Sequence, residues 1–169
     1  MTRDPRTTGV AEPIDPDIDL HQPAQRDELW RSHGAILAAI SLGGGIGALG
    51  RYGLALLLPT PVGGFPWATF TTNVAGCFVI GVLMVTITDI LTAHPLVRPF
   101  LGVGVLGGFT TFSTYANDTR ALLAPGAVTT AFVYLFATLG CALLATLLGV
   151  WLTRTAYAAR TRRSRRPVA

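Results

Sequence analysis

Four long apolar runs constrain the fold of this chain more than any other feature of its sequence. They cover roughly residues 34–58, 66–88, 96–118 and 127–152, and each is long enough to cross a hydrocarbon core of about 30 Å as a helix. The chain is 50% hydrophobic and 13% charged, with a mean hydropathy of +0.50, which lies well to the apolar side of water-soluble domains. No segment alternates as the strands of a membrane barrel do. The sequence therefore predicts an all-α membrane domain of four transmembrane helices over residues 34–153.

The two ends of the chain differ from this apolar domain. Residues 1–33 are rich in Pro, Asp and Arg and contain no apolar stretch of signal-peptide length, so we predict a disordered cytoplasmic tail. Residues 154–169 form a basic tail that contains the run RTRRSRRPVA. We expect this second tail to be solvated and to touch anionic membrane lipid, and we predict no nucleic-acid partner.

The arginines predict how the domain faces the membrane. Four spans place both termini and the loop 89–94 on the same side. Eleven of the 13 arginines fall on that side, Arg51 and Arg120 fall on the other, and the chain has no lysine. By the positive-inside rule, we expect a multi-pass protein of the bacterial inner (plasma) membrane with both termini in the cytoplasm.

Polar side chains inside the spans either pack internally, bond to their own helix or line a pathway, because lipid offers them no partner. Asn73 lies midway along the second span, where its amide either ties two helices together or donates into a pore. Thr69 shares its helix face. Arg51 either snorkels to the interface or attracts an anion in an aqueous mouth. The small-xxx-small spacing of Gly43 and Gly47 predicts close helix packing.

The stretch GGFTTFSTY, residues 107–115, interrupts the third apolar run. Gly107 and Gly108 favour a helix poorly, so we predict that the third helix breaks near residues 107–111. Such a break persists in a membrane only where protein or an ion satisfies the freed backbone groups. Hydroxyl residues follow, and Phe112 and Tyr115 would present ring edges to a small anion. The stretch suits an anion that accepts hydrogen bonds, although Gly/Ser/Thr-rich membrane helices also simply pack together.

Three blocks of the sequence resemble the signatures of one family. The segments GGGIGALGRYGL, WATFTTNVAGCFVIGVL and GVGVLGGFTTFSTYANDTRAL are similar, in this order, to the signature blocks of the fluoride-exporting channels of the CrcB or Fluc family. The resemblance covers roughly residues 36–152 and leaves both tails unmatched. It implies a fluoride-specific ion channel subunit, not an enzyme, that mediates passive fluoride efflux and so lowers cytoplasmic fluoride toxicity.

The resemblance also implies an assembly and a set of site residues. The family forms antiparallel, dual-topology-type dimers with two fluoride pathways and a structural sodium ion at the dimer interface. By motif position, the backbone carbonyls of Gly107 and Thr110 would hold Na⁺, and Arg51 would lie in the vestibule. The fluoride pathway would be lined by Thr69, Asn73, Phe112, Ser113, Thr114, Tyr115, Asp118, Tyr134 and Thr138.

Three positions depart from the family's pattern. Tyr115 stands where a Phe is usual, Asp118 where a Glu is usual, and Ala142 lacks a hydroxyl that is often present. These departures leave open whether the chain's own pathway conducts. The single-signed arginine bias favours a heterodimer with an opposite-topology paralogue over a homodimer, because a chain fixed in one orientation cannot supply both subunits.

Two alternative functions stay open at this point. One is a non-conducting structural subunit of such a dimer, to which the three departures point. The other is a small four-helix drug exporter, which would normally need an acidic residue buried in a span. The acids outside the N-terminal tail, Asp89 and Asp118, lie near span ends. No catalytic or nucleotide-binding motif is present, so Na⁺ is the one cofactor that we expect.

Overall fold

The structure is a computed structural model that describes the backbone of residues 23–90, 94–124 and 126–164 and the side chains of residues 33–90, 94–124 and 126–161. Every regular element in these ranges is helical. From Ala35 onward the chain forms one unit. The elements are α1 (Pro23–Leu57), α2 (Trp67–Val85, continued by a π-helical segment, Thr86–Ile90), α3 (π-helical over Arg98–Leu106, then α-helical over Gly107–Phe109), α4 (Ser113–Leu123) and α5 (Val128–Ser164).

Three helices in these ranges are long and apolar enough to cross a membrane. They are His33–Leu57, with 25 residues and a mean hydropathy of 1.4, Trp67–Ile90, with 24 residues and 1.9, and Val128–Thr161, with 34 residues and 2.2. They coincide with the first, second and fourth predicted runs. The third run is also helical but is interrupted, so a fold of four spans stays a prediction.

Both terminal helices extend past the predicted spans. α1 begins at Pro23 rather than at residue 34, because Pro suits the first turn of a helix and an existing helix lengthens without a new nucleation step. α5 continues to Ser164, so residues 154–164 of the predicted basic tail are helical. The other predicted tail residues, 1–22 and 165–169, lie outside the described residues.

Helices α1 and α3 approach each other closely through glycine. A Cβ atom built on Gly47 would collide with the carbonyl oxygen of Val105, and one built on Gly108 would collide with the carbonyl oxygen of Gly44. A Cβ atom on Gly43 would likewise collide with the backbone of α3. Only glycine fits these positions without a backbone shift. The packing role predicted from the small-xxx-small spacing is confirmed.

The break between α3 and α4 lies at residues 110–112. α3 ends at Phe109, Thr110 is extended with φ −73° and ψ 156°, and α4 begins at Ser113. The interruption therefore overlaps the predicted interval, but the expectation that the two glycines themselves open the helix is wrong. Gly107 and Gly108 are helical, and Gly108 is required instead for the approach to α1.

A buried aromatic cluster packs α4 against α5. Tyr134 is fully buried, and Leu122 and Ala131 beside it are 4% and 1% exposed. The ring of Phe65 meets Tyr134 edge-on, and the ring of Tyr115 meets it at a tilt, both with centroids 5.4 Å apart. Edge-on and tilted contacts of this kind stabilise ring pairs beyond the burial of their area. The cluster thereby fixes the polar face of α4 beside α2 and α5.

Candidate functional site

Asn73 on α2 pairs with the peptide group of Thr111 in the break. Its Nδ2 donates to the Thr111 carbonyl, and the Thr111 N–H donates to Asn73 Oδ1, each at 2.9 Å. A side-chain amide thus supplies the partners that an interrupted helix withholds. Because a carboxamide nitrogen carries two protons, Nδ2 keeps one beyond this pair.

Two carbonyls of the break lose their helical donors. In an uninterrupted α-helix the N–H of Thr111 would reach the carbonyl of Gly107, and the N–H of Thr114 would reach that of Thr110. Here the Thr111 N–H donates to Asn73, and the Thr114 N–H donates to Thr111 Oγ1 at 3.1 Å. The usual donors of both carbonyls predicted to hold Na⁺ therefore bond elsewhere.

Arg51 on α1 contacts the last turn of α3, directly before the break. Its Nε donates to the carbonyl of Gly108 at 3.2 Å, which in a continuous helix would accept from Phe112. The guanidinium is therefore hydrogen-bonded to the last turn of α3, directly before the break. It also lines a cleft of about 240 Å³, which we call the Arg51 cleft. The residues of its lining that carry a hydroxyl group are Tyr52, Thr69, Thr72, Thr111 and Thr114.

A larger cleft of about 430 Å³ lies between α2, the break and α5, and we call it the Asn73 cleft. The described residues of its lining include no Asp, Glu, Lys, Arg or His. It brings together both predicted Na⁺ residues and four predicted pathway residues, and Thr111 lines both clefts. The lining residues are Asn73, Cys77, Gly107, Thr110, Thr111, Phe112, Tyr115, Thr138, Leu139 and Ala142.

The hydroxyl of Thr138 is a buried donor without a partner. The residue is 3% exposed, and among the described side chains its Oγ1 is the buried oxygen that makes no hydrogen bond. An unsatisfied buried group of this kind destabilises a fold by about 1–3 kcal/mol, and native proteins keep few of them without a role for a ligand, an ion or water. Thr138 is therefore the strongest candidate for a ligand-binding donor in the Asn73 cleft.

The ring of Phe112 in the break contacts the ring of Tyr115 in α4 at a tilt. The centroids of Phe112 and Tyr115 are 5.9 Å apart with 52° between the ring planes, and Phe112 is 79% exposed. The hydroxyl of Tyr115 donates to the carbonyl of Leu135 on α5 at 2.7 Å. The group that distinguishes Tyr115 from the usual Phe is therefore committed to a backbone acceptor.

Asp118 accepts hydrogen bonds from two hydroxyl groups where α2, α4 and α5 meet. Thr69 Oγ1 donates to its Oδ2 at 2.7 Å, and the Tyr134 hydroxyl donates to the same oxygen at 3.3 Å. None of these three predicted pathway residues lines the Asn73 cleft. Thr69 lines the Arg51 cleft, and Asp118 lines a third cleft, of about 440 Å³, beside the loop that joins α1 to α2.

The start of α4 carries the remaining predicted pathway residues. Ser113 Oγ is exposed and lies 3.3 Å from Thr111 Oγ1, which donates to Thr114 Oγ1 at 3.1 Å. Thr111 is one of the hydroxyl donors predicted just past the break but not one of the predicted Na⁺ or pathway residues, and it is central to the observed site. A Ser or Thr just before a helix often accepts a hydrogen bond from a backbone N–H in the first turn of that helix. Thr111 lies two residues before α4 begins at Ser113, so this pattern could have identified it.

Comparison with known proteins covers the part of the chain that carries this site. The family model of CrcB-like protein, Camphor Resistance (CrcB), matches residues 38–150, which include every predicted site residue. The chain belongs to the CrcB family. The resemblance of the three sequence blocks is thereby confirmed, and the CrcB match contains the break and the three clefts.

Several CrcB relatives are similar over most of the chain. It is 57% identical over 125 residues to fluoride-specific ion channel FluC 2 of Streptomyces avermitilis, which covers 74% of this chain and 79% of the relative. It is 56% identical over 125 residues to FluC 1 of Streptomyces coelicolor, covering 74% and 81%. A second relative from Streptomyces avermitilis, FluC 3, is 46% identical over 127 residues, covering 75% and 62%.

Proposed function

We propose that this chain is a subunit of a fluoride-specific ion channel through which fluoride leaves the cytoplasm passively. The observation that carries the proposal is the lining of the Asn73 cleft, where amide and hydroxyl donors meet aromatic rings and the described residues include no Asp, Glu, Lys, Arg or His. In particular, the unpartnered hydroxyl of Thr138 shares this cleft with the second amide proton of Asn73. The relatives named fluoride-specific ion channel support the same function.

Fluoride is small and strongly hydrated, so a selective pathway must replace its water shell with hydrogen-bond donors. Asn73 and Thr138 offer N–H and O–H donors, and the ring edges of Phe112 and Tyr115 add weaker positive potential. Neutral donors let the ion leave again, which conduction requires. The positive charge of Arg51 in the neighbouring cleft would raise the local anion concentration.

Three of the predicted donors already have acceptors within the chain. The hydroxyls of Thr69 and Tyr134 donate to Asp118, and that of Tyr115 donates to Leu135. These three hydroxyls are occupied as donors, so we assign them to the wall of the pathway rather than to direct contact with fluoride.

The proposal includes a structural sodium ion at the carbonyls of Gly107 and Thr110. Oxygen ligands suit hard cations, and both carbonyls lack their helical donors because Thr111 and Thr114 donate elsewhere. The residues present therefore fit the ion. When bound, Na⁺ would supply the positive charge that satisfies freed carbonyls in a medium that offers no water.

The proposed channel needs a second CrcB-type subunit of opposite orientation. Phe112 is 79% exposed and a Cβ atom on Gly107 would meet open space, so this part of the site is uncovered in the single chain. We propose four spans with both termini in the cytoplasm, fixed by the arginine bias. Streptomyces avermitilis has relatives named FluC 2 and FluC 3, as pairing between related subunits would require.

Reporter fusions at the C-terminus test this orientation. A reporter that is active only in the cytoplasm should give the full signal, and one that is active only outside the plasma membrane should give none. Equal populations on both sides would contradict the fixed orientation and favour a homodimer.

Growth in fluoride tests the proposed function. A bacterial strain without its own fluoride exporter should regain growth in acidic medium with fluoride when it expresses this chain together with an opposite-topology relative. Each subunit is also expressed alone, and membrane levels are measured in every strain. A pair that reaches the membrane without restoring growth would contradict a fluoride channel and favour the non-conducting subunit.

A further inference from the structure

We propose that Thr111 is the positioning residue that keeps the sodium site open. In a continuous helix, the N–H groups of Thr111 and Thr114 would donate to the carbonyls of Gly107 and Thr110. Here Thr111 directs its own N–H to Asn73, and its hydroxyl accepts the N–H of Thr114. This inference rests on the sodium ion of the proposed function and adds a residue to it that the resemblance does not supply.

All the hydrogen-bonding groups of Thr111 are used to hold the break. Its N–H and carbonyl pair with the Asn73 amide, each at 2.9 Å. Its Oγ1 accepts from the N–H of Thr114 and donates to Thr114 Oγ1, both at 3.1 Å. The residue therefore acts on both carbonyls at once: its N–H is withdrawn from Gly107, and its hydroxyl withdraws the donor of Thr110.

The side chain of Thr110 is held independently of Thr111. Its Oγ1 donates to the carbonyl of Leu106 at 2.9 Å, and its methyl group fits against Gly76, where a Cβ atom would collide with it. The extended ψ of 156° turns the Thr110 carbonyl away from the helical direction, for which ψ is about −42°. The ligand is thus placed by its own contacts and kept free by Thr111.

Loss of the Thr111 hydroxyl should engage the Thr110 carbonyl in a helical hydrogen bond and so weaken it as a ligand of Na⁺. Without it, the helical acceptor of the Thr114 N–H is the Thr110 carbonyl. This bond forms when ψ of Thr110 rotates from 156° towards the helical value, and it extends α4 backwards towards Thr110. A carbonyl engaged in a helix is a weaker ligand for Na⁺. A second change that removes the Thr114 N–H altogether should leave the carbonyl free again, and Pro is tolerated in the first turn of a helix.

The test measures sodium affinity rather than conduction. The purified full chain in detergent, with its partner subunit, is unfolded thermally over a range of NaCl, and choline chloride keeps the ionic strength constant. Because a ligand that binds only the folded state stabilises it, the unfolding temperature reports Na⁺ binding. The variants are Thr111→Val, Thr111→Ser, Thr111→Val with Thr114→Pro, and the control Thr146→Val, whose hydroxyl bonds within α5.

We expect Thr111→Val to raise the Na⁺ concentration of half-maximal stabilisation by at least about tenfold, as loss of a supporting residue does at other metal sites. Thr111→Ser keeps the acceptor and should keep the wild-type value, as should Thr146→Val. The added Thr114→Pro should restore affinity, which general damage to the fold would not do. If the Val variant does not purify in folded form, Thr111→Ala makes the same comparison.

Two results would overturn the inference. A Thr111 variant without the hydroxyl that keeps the wild-type Na⁺ dependence would show that the residue does not control the site. A wild-type protein without any response to Na⁺ would remove both the ion and this role of Thr111. Fluoride-dependent growth is scored separately, so failure here and failure of the channel function give different results.

Discussion

The side-chain amide of Asn73 and the peptide group of Thr111 exchange two hydrogen bonds of 2.9 Å across the contact between α2 and the break. Lipid offers no alternative partners to a backbone that leaves its helix. The side chain of Asn73 therefore replaces the hydrogen bonds that the peptide group of Thr111 would make in a continuous helix. Its second N–H remains available to the Asn73 cleft. Structural support and a proposed ligand contact come from the same side chain.

Replacing Asn73 with leucine should destabilise the protein. The change leaves the N–H and carbonyl of Thr111 without partners, and each orphaned group costs about 1–3 kcal/mol. The thermal unfolding temperature of the purified protein measures the loss. Asn117→Leu, at an exposed position of α4, is the control and should change stability little. Equal unfolding temperatures for the two variants would contradict the role of the pair.

Alanine at Gly47 should also destabilise the protein, because its Cβ atom would collide with the carbonyl of Val105 and overpacking costs about 1–3 kcal/mol. Gly45→Ala on the same helix meets no atom within 4 Å and removes a residue of poor helix propensity. We therefore expect opposite changes in unfolding temperature for the two variants. A Gly47→Ala protein as stable as the wild type would contradict the close approach of α1 and α3.

Replacing Thr138 with valine should lower fluoride conduction without destabilising the protein. Removal of a buried hydroxyl that has no partner should leave the free energy of unfolding unchanged or raise it by up to about 1–3 kcal/mol, while fluoride flux through the assembled channel falls. Thr153→Val is the control, because that hydroxyl bonds to Gly149 in its own helix at 2.8 Å. A Thr138→Val channel with wild-type flux would exclude this hydroxyl as a fluoride donor.

Phenylalanine at Tyr115 should lower stability but preserve fluoride flux. The change removes the hydrogen bond to Leu135, which is worth about 0.5–1.5 kcal/mol, and leaves the ring edge in place. Tyr157→Phe, at an exposed residue of α5, is the stability control. A strong fall in flux would show that the Tyr115 hydroxyl itself meets fluoride.

Hydropathy was sufficient to predict the positions of α1, α2 and α5, because membrane helices must be apolar over a fixed length. The run of hydroxyl and glycine residues also predicted where the third helix is interrupted. It did not predict which residues open it. Gly108 is helical and its backbone lies against Gly44 of another helix, and local propensity contains no information about such a contact.

The polar contacts of the site depend on residues far apart in the chain. Asn73 and Thr111 are separated by 38 positions, and Thr69 and Asp118 by 49. Their side-chain types suggest hydrogen bonding, but the partner of each is set by helix packing. The same holds for Tyr115, whose hydroxyl meets a backbone carbonyl that no sequence motif marks. The motif blocks therefore identified the region of the site, whereas the hydrogen-bond partner of each polar side chain in it could be assigned only from the structure.

Fluoride release from liposomes tests the central claim most directly. Liposomes loaded with equal fluoride and chloride would carry this chain alone, the opposite-topology relative alone, or both subunits purified together. We predict rapid fluoride release with chloride retained from the liposomes that carry both subunits, and no release from this chain alone. Retention of fluoride by the assembled pair, or equal release of both anions, would contradict a fluoride-specific channel.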